Sequence, residues 1–415
     1  MIVKSVNFSG AGGISRFEAR AHTAAAPESE FTTWIDIHKT IEPPQAVGDP
    51  FLAAFLLPTM HLGEELHIQA PVSTKLRRAM ASIQEIFHGW HPTILQEISV
   101  HTPNQVTPQA APGPRGLANF FSGGLDSWHS LLSHRGEVAA LLTVKGFDIP
   151  LNDQTIWGEL VAANRRIAAE FGVELIVVET NMRNCLDPTI APLGKTYGGD
   201  FWGCYLHGAF LAAVGHCLQS HFSKVIIAST WSTARAKPWG SHPQLDPLWS
   251  TGMTDFLHDG ADSERLDKLR EVVKLPTALR YLRVCPSYTP GRYNCCACEK
   301  CWRTMLGLRL LGALEQSSAF DRPLHLPSVI KTLRVPPRRE SWYRDMQAEA
   351  AARGDAEMIR FFRILLGEQF CFAREWPRWR DQGRRLGAAA YKWSSIPRHL
   401  RSVRKRWNRI QGRTA

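Results

Sequence analysis

The sequence has no segment that would place the chain in a membrane or direct it out of the cell. Its longest apolar runs, such as Phe51 to Leu57, are far too short to cross a bilayer. The first 30 residues contain no apolar stretch behind a basic start, which is the pattern of a secretory signal. No internal repeat of fixed period occurs. We therefore expect a cytoplasmic protein with reduced thiols.

The sequence also lacks a net charge outside the carboxyl end, because residues 1–373 balance to zero. Charged residues make up 21% and hydrophobic residues 44% of the 415 residues, which is ordinary for a globular protein of two or three domains. The net charge of +11 is concentrated between Arg374 and Ala415, where 13 lysines and arginines face two acidic residues and alternate with tryptophans. This basic tail suits nucleic acid, an acidic membrane surface or an acidic protein. Equally, it could pack its tryptophans on the body of the protein.

The segment Ser-Gly-Gly-Leu-Asp-Ser at residues 122–127 is the strongest functional signal. An apolar stretch precedes it and a helical pattern follows, so the layout is a strand, a tight turn and a helix start. Two glycines let the backbone approach an anion, and a helix start offers N–H groups to phosphate. Asp126 would repel bare phosphate, which indicates a bridging Mg²⁺. The alternative is a glycine turn without a ligand.

A Walker phosphate loop is not a competing interpretation. Gly194-Lys195-Thr196 has the ending of that motif, but Thr189 occupies the position where its first glycine is needed. Lys195 stays a candidate for phosphate or substrate contact in its own right.

Five of the nine cysteines lie within 17 positions. Cys295, Cys298 and Cys301 have C-x-x-C-x-x-C spacing, and Cys285 precedes them across a loop. Four thiolates in this arrangement can form a closed, structural zinc site. An iron–sulfur cluster and disulfides are the alternatives. Cys296, beside a ligand, is either an alternate ligand or a turn residue.

These two motifs together resemble the N-type ATP pyrophosphatases of the PP-loop superfamily, and within it the 7-cyano-7-deazaguanine synthase family of the queuosine pathway. That family carries Ser-Gly-Gly-Leu-Asp-Ser near the start of its domain. Near the end it has one cysteine, a loop and then C-x-x-C-x-x-C. The resemblance covers roughly residues 115–315 and implies ATP and Mg²⁺ at the loop and Zn²⁺ at the cysteines.

The motifs and this resemblance together predict the following site residues. We expect ATP to be contacted by Ser122, Gly123, Gly124, Leu125, Asp126, Ser127 and, at the end of another strand, Val144. The expected zinc ligands are Cys285, Cys295, Cys298 and Cys301. The candidate catalytic residues are Asp126, Ser127, Lys195, Arg235 and Lys237. The last two lie in a long loop rich in Trp, Pro and Ser, where they could neutralise phosphate or a substrate carboxylate.

One stretch departs from the family pattern. The family has Tyr-Pro-Asp-Cys-Arg-Pro in its substrate region, and the matching residues here are His-Pro-Gln-Leu-Asp-Pro at 242–247. The two prolines agree, whereas Gln244, Leu245 and Asp246 replace the family's Asp, Cys and Arg. This difference weakens the case for a carboxydeazaguanine substrate and leaves the ATP chemistry unaffected.

The sequence predicts an α/β protein with three parts. Residues 1–110 form a small α+β domain of unknown role. Residues 111–320 form a PP-loop (adenine nucleotide α-hydrolase-like) domain with a parallel sheet and a zinc-binding subdomain. Residues 321–415 form a basic, helical region rich in Trp and Arg. Within the middle part, strands are expected at 138–144, 174–178 and 224–229, and helices at 157–171 and 200–219.

The expected function is that of an ATP-dependent carbon–nitrogen ligase. The resemblance implies that a small-molecule or peptide carboxylate is adenylated with release of pyrophosphate, and that ammonia or an amine then displaces AMP. One alternative is a PP-loop enzyme that modifies RNA bases, which the basic tail favours. Another is a non-catalytic nucleotide-binding protein of a bacterial antiviral defence system, a context in which synthase-like paralogues occur.

Overall fold

The computed structural model describes residues 1–109, 115–190, 201–286 and 292–367. Within the chain, contacts separate two compact units, Met1–His325 and Leu326–Ala415. The predicted contact residue Lys195 and the basic tail lie outside the described residues. The predicted boundaries near residues 110 and 320 stay predictions.

The described residues of the first unit form twelve strands. Ten belong to one large sheet: β1 Ile2–Ala11, β2 Ile14–His22, β3 Phe31–Ile37, β4 Leu66–Ile68, β6 Val100–His101, β8 Gly116–Phe120, β9 Val138–Lys145, β10 Glu174–Thr180, β11 Phe222–Ala228 and β12 Asp255–Asp259. The short strands β5 Val72–Ser73 and β7 Gln105–Val106 pair separately.

The large sheet has the order β12-β11-β8-β9-β10-β3-β2-β1-β4-β6. Strands β8 to β12 are all parallel, β10, β3, β2 and β1 are joined by antiparallel pairs, and β4 and β6 continue parallel to β1. The α/β class with a mostly parallel sheet is therefore confirmed. If the parallel strands β8 to β12 are numbered 1 to 5, their order across the sheet is 3-2-1-4-5. Strands β9 and β10 are added on one side of β8 and strands β11 and β12 on the other, so the strand order reverses at β8.

Helices cover this sheet and connect its strands. They are Asp49–Leu62, Thr74–Trp90, Leu125–Ser133, Gln154–Phe171, Met182–Ile190, His207–Cys217, Arg265–Val272, Pro276–Tyr281 and Glu299–Leu310, with a π-helical turn at Trp202–Leu206. Among the described residues, none of the helices is both long and apolar enough to span a bilayer.

Local sequence signals explain the units around β9. The run Val138–Lys145 is apolar except near its end and is mostly buried, as a central parallel strand requires. Asp153 begins the next helix by accepting a hydrogen bond from the amide of Ile156 over 3.0 Å. Gly172 ends that helix at φ 67°, in the left-handed region where glycine has no steric cost.

A hairpin at the amino terminus was not predicted. Strands β1 and β2 are joined by Gly12 and Gly13, both with positive φ, which fits a tight hairpin turn. The hairpin joins β3, and β3 pairs with β10 through Ile37 and Val178. The strands of the amino-terminal segment and of the middle segment therefore share one sheet.

The second unit is helical where the structure describes it. Helices occupy Leu326–Thr332, Glu340–Ala352 and residues 356–367, with a 3₁₀ turn at Pro337–Arg339. Its buried side chains include Trp342, Tyr343, Met358 and Phe362.

Candidate functional site

The loop of residues 122–127 lies at the carboxyl end of β8. Gly123 has φ +74°, a conformation that side chains rarely adopt. A β-carbon on Gly123 would lie 3.5 Å from the Tyr281 carbonyl oxygen and from the Arg283 β-carbon. Gly124 is the N-cap of the helix Leu125–Ser133. The 3.5 Å contacts are ordinary, so it is the positive φ of Gly123 that favours glycine at this turn.

The loop presents a helix start. The Ser127 hydroxyl donates to the carbonyl of Gly124 over 3.0 Å, and Asn119 on β8 donates to the carbonyl of Ser127. Both contacts hold the first turn in place. The Ser122 side chain is exposed. Unsatisfied N–H groups at such a helix start attract an anion.

Two cations converge on Asp126. Its carboxylate oxygens lie 3.6 Å from an Arg265 guanidinium nitrogen and 3.7 Å from the Lys268 ammonium. The Oδ1 atom of Asp126 is buried without a hydrogen bond. An orphaned carboxylate oxygen of this kind fits an oxygen-seeking cation such as Mg²⁺, which takes its other ligands from phosphate and water.

Lys268 is almost completely buried, and its ammonium donates to the carbonyl of Ser229 at the end of β11. Burial lowers the pKa of Lys268, and the charge of Asp126 opposes that shift. Burial also lowers the pKa of His129, which lies on the same side of the loop near Gly260. The edge formed by β8, β11 and β12 is therefore a desolvated, polar site.

The site lies at the carboxyl end of the strand where the order of the sheet reverses. In open parallel sheets, ligands bind outside the carboxyl ends of the strands, where the strand order reverses. The loop follows β8, the strand at which this sheet reverses. Val144, the other predicted nucleotide contact, lies next to the last residue of the neighbouring strand β9.

The remaining predicted cations have protein neighbours. Arg235 lies 3.3 Å from Glu264, the residue before the helix that carries Arg265 and Lys268. The Lys237 ammonium lies 4.8 Å from the centre of the Trp231 ring. Neither contact tests the predicted role of these residues.

The four predicted zinc ligands come together. The sulfurs of Cys285, Cys295, Cys298 and Cys301 all lie within 4.8 Å of one another. The pairs Cys285–Cys298 and Cys295–Cys301 are each 3.9 Å apart. A tetrahedral site with Zn–S bonds of about 2.3 Å requires sulfur separations of about 3.8 Å. The arrangement therefore fits one zinc ion, and a disulfide joins none of the cysteines that the structure describes.

The turn around the second cysteine excludes Cys296 from this group. Cys296 has φ 55°, and its sulfur lies 3.5 Å from the Asn294 carbonyl and from Asp321. The buried Asn294 side chain accepts from the amides of Val284 and Cys285. Asn294 thus fixes the first ligand to the turn that carries the other three.

Hydrogen bonds among the clustered thiols shift their pKa values. Hydrogen bonds with Cys298 and Cys301 lower the pKa of Cys285 below its usual range. Hydrogen bonding to Cys285 raises the pKa of Cys298 to about 12. Zinc has to displace these thiol protons, so that its affinity for the site falls in acid.

The stretch at 242–247 has a structural role around Asp246. This fully buried carboxylate accepts hydrogen bonds from Ser241 and His258, each over 2.7 Å. His242 also contacts the Trp90 ring edge to face. Asp246 is therefore the centre of a local network of hydrogen bonds.

Four cations near the loop were missed by the sequence analysis. Arg265 and Lys268 lie on a helix whose Leu266, Leu269 and Val272 are buried. A lysine among the apolar positions of an amphipathic helix is a signal that could have found Lys268. Lys145 ends an apolar strand and gives a similar signal. Arg283 gives none, because its position depends on the loop that leads to the cysteines.

Comparisons of the chain with known protein families, curated proteins and solved structures find no match. Any function for this chain therefore has to be inferred from its own residues and their arrangement.

Proposed function

We propose that this protein is an ATP-dependent ligase that adenylates a carboxylate and passes the acyl group to ammonia or an amine. The observation that carries the proposal is the environment of the loop at residues 122–127. It combines a glycine turn and a helix start with Asp126, Lys268 and Arg265, at the strand where the sheet order reverses.

The reaction has two steps. A substrate carboxylate oxygen attacks the α-phosphorus of ATP, the bond to the β-phosphate bridge oxygen breaks, and pyrophosphate leaves. The nitrogen of ammonia or an amine then attacks the acyl carbon. AMP leaves, an amide forms, and the nitrogen loses a proton to solvent or a base.

The residues of the site suit the first step. The N–H groups at the start of helix Leu125–Ser133 and the Lys268 and Arg265 cations would face the negative charge that builds up on the departing pyrophosphate. Mg²⁺ held by Asp126 would supply further charge neutralisation. Because Lys268 is desolvated, its attraction to phosphate is stronger than that of a surface lysine.

The cysteine cluster takes no part in the proposed chemistry. Four sulfurs complete the shell of a zinc ion and leave no position for substrate. We assign it a structural role.

Pyrophosphate release tests the proposal. ATP is incubated with a panel of carboxylates and ammonia, and with tRNA in a separate series, using the native chain and Asp126→Ala. Release that needs a carboxylate and is lost in Asp126→Ala supports the ligase. Release that needs only tRNA would instead indicate an RNA-modifying enzyme. No release under any of these conditions would favour a non-catalytic nucleotide-binding protein.

A further inference from the structure

Lys145, the last residue of β9, is buried without a partner. Its side chain is 0% exposed, and its ammonium forms no hydrogen bond or ion pair among the described residues. The contact that the ammonium does make is with the Trp157 ring, 5.7 Å away. A buried ammonium without a counter-charge is costly, and buried charges in proteins are as a rule paired. A bound oxyanion would supply the missing charge.

Lys145 lies at the carboxyl end of β9, the strand next to β8, and the glycine loop begins at that same end of β8. Side chains alternate along a strand, so Lys145 shares a face of the sheet with Thr143. Thr143 donates to the carbonyl of Phe121, the residue just before Ser122. Phe120 pairs with Leu142 in the parallel ladder of β8 and β9, so the backbone of Lys145, three residues later, is in register with the loop residue Gly123. Trp157, from the helix that covers this face, encloses it.

Arg283, whose backbone amide donates to the carbonyl of Gly123, is a second incompletely paired cation beside the loop. It is 8% exposed, and its Nη1 donates to the carbonyl of Cys285 over 2.8 Å. Its Nε and Nη2 atoms are buried without a hydrogen bond. The backbone of Arg283 touches Gly123, and neighbouring Tyr281 receives a hydrogen bond from Arg166 of the helix that also carries Trp157.

The cations around the loop therefore form two sets. Lys268 and Arg265 lie on the side of β11 and face Asp126. Lys145 lies on β9, on the opposite side of β8, and no acidic residue is within salt-bridge distance of it among the described residues. Lys268 and Arg265, which lie beside the carboxylate of Asp126, suit a ligand that binds together with Mg²⁺. Lys145, which has no such carboxylate nearby among the described residues, suits an oxyanion without a metal ion.

We propose that Lys145 and Arg283 form a second oxyanion site on the β9 side of the loop, separate from the pyrophosphate side. Building on the proposed function, this site receives either the α-phosphate of the nucleotide or the carboxylate of the acceptor. Both are planar or tetrahedral oxyanions that an ammonium and a guanidinium recognise.

Binding measurements on the full chain test this site. Lys145→Met removes the charge and keeps the length of the side chain, and Lys145→Gln serves if the methionine variant folds poorly. Lys224→Met, an exposed lysine on β11, is the matched control. Affinities for AMP, acetate, sulfate and pyrophosphate are measured by calorimetry and by the rise in melting temperature that each ligand causes.

We expect Lys145→Met to melt at or above the temperature of the native chain without ligand, because an uncompensated buried charge is gone. It should bind AMP or acetate at least tenfold more weakly, and bind pyrophosphate within about twofold of native affinity. Loss of AMP affinity identifies the α-phosphate as the ligand, and loss of acetate affinity alone identifies the acceptor carboxylate.

Equal affinity of Lys145→Met and the native chain for AMP, acetate and sulfate would overturn the proposal, as would absence of binding of all three to the native chain. Pyrophosphate and ATP report separately on the proposed function. If they bind normally while Lys145→Met has no effect, the ligase proposal stands without this site. If AMP or acetate requires Lys145 but neither pyrophosphate nor ATP binds, the oxyanion site stands and the ligase proposal fails.

Discussion

The backbone amide of Arg283 donates a hydrogen bond to the carbonyl of Gly123 over 2.8 Å. The side chain of Arg283 donates over the same distance to the carbonyl of Cys285, the first residue of the cysteine cluster. One residue therefore joins the glycine loop to the metal centre. Loss of the metal should therefore disturb the conformation of the loop and weaken ligand binding there, although the cluster itself contacts no reacting atom in the proposed chemistry.

The first prediction concerns this coupling. The native chain should contain about one zinc ion, and Cys298→Ser should lose it together with much of its affinity for ATP. Elemental analysis and calorimetry provide the two readings. Cys296→Ser is the control, because the Cys296 sulfur lies outside the ligand group, and it should keep both. Full ATP affinity in a zinc-free Cys298→Ser protein would show that the two sites are independent.

The second prediction concerns the charges beside the loop. Asp126→Asn and Lys268→Met should each lower pyrophosphate release on the order of 100-fold, since each removes a charge from the leaving-group site. Asp267→Asn, on the exposed face of the helix that carries Lys268, should leave the rate unchanged. Steady-state kinetics of pyrophosphate release measure these rates. Native rates in Lys268→Met would mean that this lysine only stabilises the fold.

The third prediction concerns Asp49, at the start of the helix Asp49–Leu62. Burial raises the pKa of Asp49 to about 7, although its carboxylate accepts a hydrogen bond from the amide of Ser73. The folded chain therefore holds a proton that the unfolded chain releases near pH 4. The free energy of unfolding should rise as the pH falls from about 7 to about 4, by at most about 4 kcal/mol.

Asp49→Asn keeps the acceptor oxygen and removes this titration. Urea unfolding at pH 8 and pH 5 should show that the variant gains stability relative to the native chain at pH 8 and loses that advantage at pH 5. A difference between the two proteins that does not change with pH would show that Asp49 is ionised in the folded chain throughout this range.

The fourth prediction concerns His216, which is fully buried against the Phe256 ring. Burial lowers the pKa of His216 to about 3, and neither ring nitrogen has a hydrogen-bond partner among the described residues. The unfolded chain takes up a proton below about pH 6.5, whereas the folded chain does not. Stability is therefore lost as the pH falls from 6.5 toward 3, by about 2 kcal/mol at pH 5.

His216→Leu should remove that loss and make unfolding less sensitive to acid. Thermal or urea unfolding between pH 7 and pH 4.5 measures the slope. An identical slope in the two proteins would assign the acid sensitivity to other groups. In the same pH range Asp49 raises the free energy of unfolding as the pH falls, whereas His216 lowers it. Asp49→Asn combined with His216→Leu should therefore remove both contributions to the pH dependence.

The parts of the fold that sequence patterns predict are those with local signals. Strand β9 was predicted to span 138–144 and spans Val138–Lys145, because an unbroken apolar run suits a strand buried on both faces. The helix ending at Phe171 is stopped by Gly172, as predicted. The predicted helix at 200–219 lies partly outside the described residues; where described, it begins as a π-helical turn and continues as His207–Cys217.

Pairing between distant strands leaves no local signal. Ile37 pairs with Val178, 141 positions later in the sequence, and this pairing brings β3 beside β10. Hydrophobic alternation identifies a strand but not its neighbour. The same limit applies to the site. Cysteine spacing identified all four zinc-compatible residues, whereas Lys268 and Arg283 reach the loop only through tertiary folding.

The identity of the products formed from ATP distinguishes an adenylating ligase from an enzyme that cleaves ATP elsewhere. Native chain, ATP, Mg²⁺, ammonia and a panel of carboxylates are incubated together, and the nucleotides and phosphates are separated and counted. The proposed ligase should give AMP and pyrophosphate in equal amounts, and Asp126→Asn should form both more slowly, on the order of 100-fold. ADP and inorganic phosphate as products, or AMP and pyrophosphate formed equally well by Asp126→Asn, would contradict it.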